Sequence, residues 1–140
     1  PHDQIAHKSI KLLKQGETLL AQGKLVEADD ALETALVVDP KNRTAFTVMA
    51  KVAIKQKLYG QAIKLTNKAL PLGPTDRDAL AVQGEAMVEL GALPRAKDNL
   101  AKLQKLCGAT SCPQVTVLSA VIAKGPALAA AKTPEVPKKN

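Results

Sequence analysis

One interval governs this chain. Ala28, Ala62 and Ala96 stand 34 residues apart, and most of their surroundings recur with them. Leu12, Phe46 and Leu80 fall in step, as do Gly16, Ala50 and Gly84, then Leu25, Tyr59 and Leu93. Pro40 and Pro74 close the first two periods, and Gly108 holds the equivalent place in the third. A period of this length marks a stacked repeat, in which each unit is too small to bury its own apolar face and relies on its neighbours.

The residues inside each period are those of helices. Hydrophobic residues make up 46% of the chain, yet it holds one Phe, one Tyr and no Trp, so the core must be aliphatic. Ala and Leu lose little on entering a helix. In the first unit, residues 9–42, Ile10, Leu12, Leu13, Gly16, Leu19 and Leu20 follow helical spacing. Gly23 breaks that helix, residues 24–38 read as its antiparallel mate, and Asp39 to Asn42 form a stop with Asn42 as the next N-cap. The second unit, residues 43–76, predicts helices over 43–57 and 59–72, with Pro71 tightening or shortening the last turn. The third, residues 77–108, is preceded by Thr75, which with Asp78 resembles a capping box. Gly91 ends its first helix near Leu90, and Pro94 sits in the first turn of the next, where a missing N–H costs nothing.

Residues 1–8 extend the first helix, and residues 109–125 carry a seventh helical pattern with Val117, Leu118, Val121 and Ile122 on its apolar stripe. The Ala, Lys and Pro of residues 126–140 read as a tail with little packing of its own, apart from a frayed turn at 128–132.

This pattern resembles the tetratricopeptide repeat family, whose unit is two antiparallel helices. The family's large residue followed four places later by a small one is matched by Leu12/Gly16, Phe46/Ala50 and Leu80/Gly84. Its second-helix alanines are matched by Ala28, Ala62 and Ala96, then Ala35 and Ala69, and its closing proline by Pro40 and Pro74. The family's aromatics are mostly aliphatic here, at Leu12, Leu19, Leu25 and Leu32. Thr66 replaces a large apolar residue and Leu103 a small one, which weakens the packing expected locally. The resemblance spans residues 9–108. It implies an all-α, right-handed superhelical solenoid of three helix-turn-helix units, with the seventh helix as a C-terminal cap.

The resemblance also implies a concave face lined by the first helix of each unit. That face would carry Leu13, Glu17 and Leu20, with Ile10 and Ala21, from the first unit. Thr47, Val48, Lys51, Ile54 and Lys55, with Thr44, follow from the second, and Asp78, Val82, Glu85 and Glu89, with Ala81 and Val88, from the third. An aliphatic groove with one basic and two acidic patches suits an extended or helical peptide. One branch of the family clamps a C-terminal carboxylate through Lys, Asn and Arg. The corresponding places here hold Leu13, Glu17, Val48, Asp78 and Val82, which offer no cation and two repelling carboxylates. The alternative for the same face is packing between helices, or against the chain's own N-terminal segment.

Cys107 and Cys112 flank a short loop ahead of Pro113. A disulfide stapling the final helix to the last repeat is the leading reading, ahead of two reduced buried thiols, with metal or redox chemistry last. This arrangement also resembles a C-terminal element of exported bacterial repeat proteins. It implies a periplasmic or otherwise exported setting, with the cytoplasm as the alternative. A start at Pro1 rather than Met is consistent with this, a preceding segment having been removed either by processing or by the choice of the expressed stretch.

The net charge of +7 comes largely from scattered Lys and reads as a solvated basic face. Without stacking aromatics or Arg forks, nucleic-acid binding is disfavoured. No apolar run approaches the roughly 20 residues that span a bilayer. His2 and His7 are five apart, off the spacing of ligands on one helix face, and read as surface residues. No phosphate loop, nucleophile motif or metal constellation occurs, so no cofactor and no enzyme activity are expected. These features converge on a non-catalytic module that binds a peptide or protein surface and assists assembly of a larger complex. A homotypic scaffold that builds an oligomer is the alternative, and an accessory domain of a longer enzyme a weaker third.

Overall fold

The computed structural model describes residues 4–110 and 112–127, leaving His2, Ser111 and the 128–140 tail with its frayed turn outside the described residues. Among the described residues seven helices follow in order: α1 (His7–Ala21), α2 (Leu25–Val38), α3 (Arg43–Lys55), α4 (Tyr59–Leu72), α5 (Arg77–Glu89), α6 (Leu93–Cys107) and α7 (Pro113–Lys124). They pair as α1 with α2, α3 with α4 and α5 with α6, and each pair stacks on the next to form an all-α solenoid. The register alanines Ala28, Ala62 and Ala96 are fully buried, where a larger side chain would hold neighbouring helices apart. Units one and two share one aliphatic cluster that reaches Val82 and Ala86 of α5.

Helices α1, α3 and α5 end alike. After α1, the N–H of Gly23 donates to the Leu20 carbonyl at 2.9 Å and that of Lys24 to Leu19 at 2.9 Å. After α3 the same pair is Lys57 to Ile54 and Leu58 to Ala53, and after α5 it is Gly91 to Val88 and Ala92 to Met87. This double closure is the Schellman motif, and it needs a left-handed residue one place past the cap. Gly23 (φ 76°), Lys57 (φ 64°) and Gly91 (φ 82°) occupy that place at the repeat interval. Lys57 therefore adopts a backbone conformation that usually falls to glycine, and α3 stops at Lys55 rather than continuing to residue 57.

The register does not stop at Gly108. Gly125 (φ 76°) follows Gly91 by one period, and Leu118 follows Gly84 by one period. Helix α7 packs on α5 and α6 and is thus the first helix of a fourth unit as well as a cap. Leu118 is fully buried against Gly84, where an added Cβ would lie 2.7 Å from the leucine's Cδ2. Gly16 makes the same allowance for Leu32 inside unit one, at 2.6 Å. Leu103, larger than the residue expected there, fills the same cluster as Leu80 and Leu118 and so forms the seat of α7.

Two expected caps are used differently. The α5 N-cap is Asp76, whose Oδ1 accepts the Ala79 N–H at 3.1 Å, so Thr75 is not the capping residue. Asn42 precedes α3 but caps nothing. Its amide instead donates to Ser9 Oγ at 2.9 Å, and that hydroxyl donates to the Ala35 carbonyl at 2.6 Å. Pro71 does not shorten α4, which runs through it to Leu72. Thr66 does not leave a packing defect, because its hydroxyl accepts from Gln83 at 3.1 Å and donates within α4. Gln83 in turn accepts from Asn99 at 3.1 Å, giving a buried polar seam across α4, α5 and α6.

Candidate functional site

The face formed by α1, α3, α5 and α7 holds a groove of about 370 Å³. Residues three and four apart share one side of a helix, and this spacing places each lining residue. Helix α3 contributes Lys51, Ile54 and Lys55, and α5 contributes Asp78, Ala81, Val82 and Glu85. Leu20 closes one margin from the end of α1. The opposite wall is the start of α7, with Pro113, Gln114 and Val117. Val117 is 53% exposed, a large apolar side chain held open beside the groove.

Asp78 links the walls of the groove. Its Oδ2 lies 3.9 Å from Lys51 Nζ, and its Oδ1 accepts from Gln114 Nε2 at 2.9 Å. One carboxylate therefore contacts groups of both α3 and α7, at a solvent-exposed part of the groove. Farther along α5, burial pushes the Glu85 carboxyl up, Glu89 one turn away adds to the rise, and Lys55 opposes it. The Tyr59 hydroxyl of α4 is pushed up by burial, then by Glu89 and Glu85. Glu89 also accepts the Ala127 N–H at 2.9 Å, where the chain leaves α7.

Eight of the residues expected on the concave face line this groove together: Leu20, Lys51, Ile54, Lys55, Asp78, Ala81, Val82 and Glu85. Leu13 packs against the core cluster and Glu17 is exposed, both away from the lining. Glu89 lies one turn beyond it. Thr47 and Val48 retain only 2% and 3% exposure, and Val88 none, so these are packing residues rather than contact residues. The cause is the position of α3, which has α1 on one side and α5 on the other. The Thr47 hydroxyl finds no partner among the described residues. Ile10 faces a separate hollow with Gln4, Ile5, Ala6 and His7. Sequence reasoning missed Pro113, Gln114 and Val117, although Gly125 and Leu118 at the repeat interval mark their helix as one that lines the groove.

Cys107 ends α6 and Cys112 immediately precedes α7, with Cα atoms 6.1 Å apart and the two sulfurs at bonding distance. The pair anchors the end of α7 that walls the groove. No helix among the described residues is long and apolar enough to cross a membrane.

The sequence profile of the tetratricopeptide repeat family matches residues 19–86. No curated protein matches the chain. Among solved structures, the Sgt2 TPR domain from Aspergillus fumigatus superposes with a TM-score of 0.78 at 19% identity, over 99% of this chain and 91% of that one. Residues 19–86 thus match the tetratricopeptide repeat, and the chain shares the fold of such domains. The first such domain of Spaghetti (RPAP3), bound to HSP90 peptide SRMEEVD, gives a TM-score of 0.75 at 25% identity, over 84% of this chain and 91% of that one. The TPR2B domain of yeast Sti1, in complex with pHsp70, gives 0.77 at 15% identity, over 85% and 98%. In the present chain Val48 and Val82 are buried, and Asp78 contacts Lys51 and Gln114.

Proposed function

We propose that this domain binds an aliphatic peptide segment of another protein in the groove between α3, α5 and α7, without catalysis, and so assists assembly of a larger complex. The groove itself carries this reading. Ile54, Ala81, Val82 and Val117 line a cleft of about 370 Å³ alongside Lys51, Lys55, Asp78 and Glu85. Such a cleft rewards burial of aliphatic side chains at roughly 25 cal/mol per Å² of apolar surface. The peptide-bound domain of Spaghetti supports a peptide as the occupant. The acidic peptide it holds fits this chain poorly, because Asp78, Glu17 and Leu13 stand where the family resemblance implies cations or amides.

Peptides selected by display against the folded protein, then measured by fluorescence anisotropy, test this directly. Ile54→Asp and Val117→Asp are each expected to weaken binding about tenfold or more, since both set a charge against an apolar ligand. Undiminished affinity in both variants contradicts the groove.

A homotypic reading draws on Val26 and Val37, which are 66% and 82% exposed on α2. Light scattering over a dilution series separates it: a monomer at every concentration removes it. The cysteine pair supports an exported, oxidising setting, because disulfides persist there and are rare in reducing compartments. Two free thiols in freshly isolated, never-reduced protein would contradict both the bond and that setting.

A further inference from the structure

The groove reading leaves open which charge the bound segment carries, and the ionic balance of its walls supplies an answer. The chain as a whole is basic, at +7. Helix α5 reverses that sign, carrying Asp78, Glu85 and Glu89 against Arg77 alone. These carboxylates are not equivalent. Asp78 is matched by Lys51 at 3.9 Å and by the Gln114 amide. Glu85 and Glu89, by contrast, form no ion pair within 4 Å among the described residues. Both are only partly exposed, and Glu85 lines the groove beside Val82.

A partly buried carboxylate without a counter-ion raises the free energy of the empty protein. Lys55 offsets some of this at Glu85, yet burial and Glu89 outweigh it, and the Glu85 carboxyl stands above its ordinary range. A cation arriving on a ligand would recover that energy. A long aliphatic stem suits the approach, because Lys and Arg lay their methylenes on apolar surface while the charged end reaches outward. The Val82 and Ile54 surfaces offer such a bed next to Glu85.

Resting on the peptide reading above, we infer that the groove takes an aliphatic segment bearing a basic residue, whose Lys or Arg is received by Glu85 and Glu89. The selectivity is opposite to that for an acidic peptide tail. Lys51 does not reverse it, because Asp78 stands beside it at 3.9 Å as an opposite charge.

The test uses two blocked, fluorescein-labelled octapeptide mixtures. Seven positions are randomised over Ala, Leu and Val, and one central position is fixed as Lys in the first mixture and Glu in the second. The Lys mixture is expected to bind the full chain about tenfold more tightly than the Glu mixture, the scale of one charge-assisted contact. Glu85→Gln and Glu89→Gln should each narrow that ratio, and the double substitution should bring it near one, with circular dichroism and the thermal midpoint showing that the fold is retained. Equal binding of both mixtures to the unmodified protein, or a preference that survives the double substitution, overturns the inference and leaves the apolar groove standing. Failure of both mixtures to bind folded protein overturns the groove reading and this inference with it.

Discussion

The loop between α2 and α3 and the loop between α6 and α7 sit at the same place in the repeat, yet they are fastened by different chemistry. Asp39 and Cys107 occupy equivalent register positions, two periods apart. Asp39 gathers its loop with hydrogen bonds, accepting the Ala6 N–H at 2.7 Å, the Lys41 N–H at 3.0 Å and Lys41 Nζ at 3.1 Å. Beside it, Asn42, Ser9 and the Ala35 carbonyl form a buried polar latch on α1. Cys107 gathers the later loop through its sulfur, paired with Cys112. Terminal units of a solenoid stack on one neighbour only, so α1 and α7 lack the packing that a second neighbouring unit gives α3 and α5. The first end compensates with polar contacts and the last with Leu118, Leu103 and the cysteine pair. One end should thus answer to pH and the other to reductant.

The comparison breaks most forcefully at Leu118. Leu118→Ala removes a fully buried side chain facing Gly84 and should destabilise by about 3 kcal/mol in chemical denaturation. Loss of α7 protection in hydrogen exchange, with α1 unaffected, would show that the two ends are independent. Cys107→Ser with Cys112→Ser, or reduction, should lower stability by about 2 kcal/mol through restored loop entropy, again at the α7 end alone. Asn42→Ala strands the Ser9 hydroxyl's acceptor site and should cost about 1.5 kcal/mol, read as faster exchange in α1.

Acid sharpens the contrast with the smallest effect. Hydrogen bonds, first from the Ala6 N–H and then from Lys41, hold the Asp39 carboxyl below its ordinary value. A depressed folded value means that the contribution is complete above the unfolded carboxylate range. It is lost as pH falls below roughly 4, through the folded value. Opening of the α1 end is expected over that range and should be absent in Asp39→Asn, while the α7 end keeps its protection. An acid response of equal size at both ends would contradict the difference in fastening.

Much of this was legible in the sequence because a fixed interval constrains every unit at once. The positions of six helices, the buried alanines and the seam glycines follow from Ala28, Ala62 and Ala96 with their neighbours. The buried polar seam was not legible, since Thr66, Gln83 and Asn99 pair across spacings unrelated to the repeat. Nor was the burial of Thr47 and Val48, which depends on how closely α1 and α5 approach α3. The wall supplied by α7 lay within reach. Gly125 repeats Gly91, but the two-cysteine loop lengthens the junction and hides the register of the helix between.

Nuclear magnetic resonance of the isotope-labelled full chain, titrated with the Lys-bearing octapeptide mixture, tests the central claim most directly. The account predicts that amide shifts concentrate at Leu20, Ile54, Ala81, Val82, Glu85 and Val117, the residues that line the groove. Shifts confined to the outer surfaces of α2, α4 and α6, or none at saturating peptide, would contradict it.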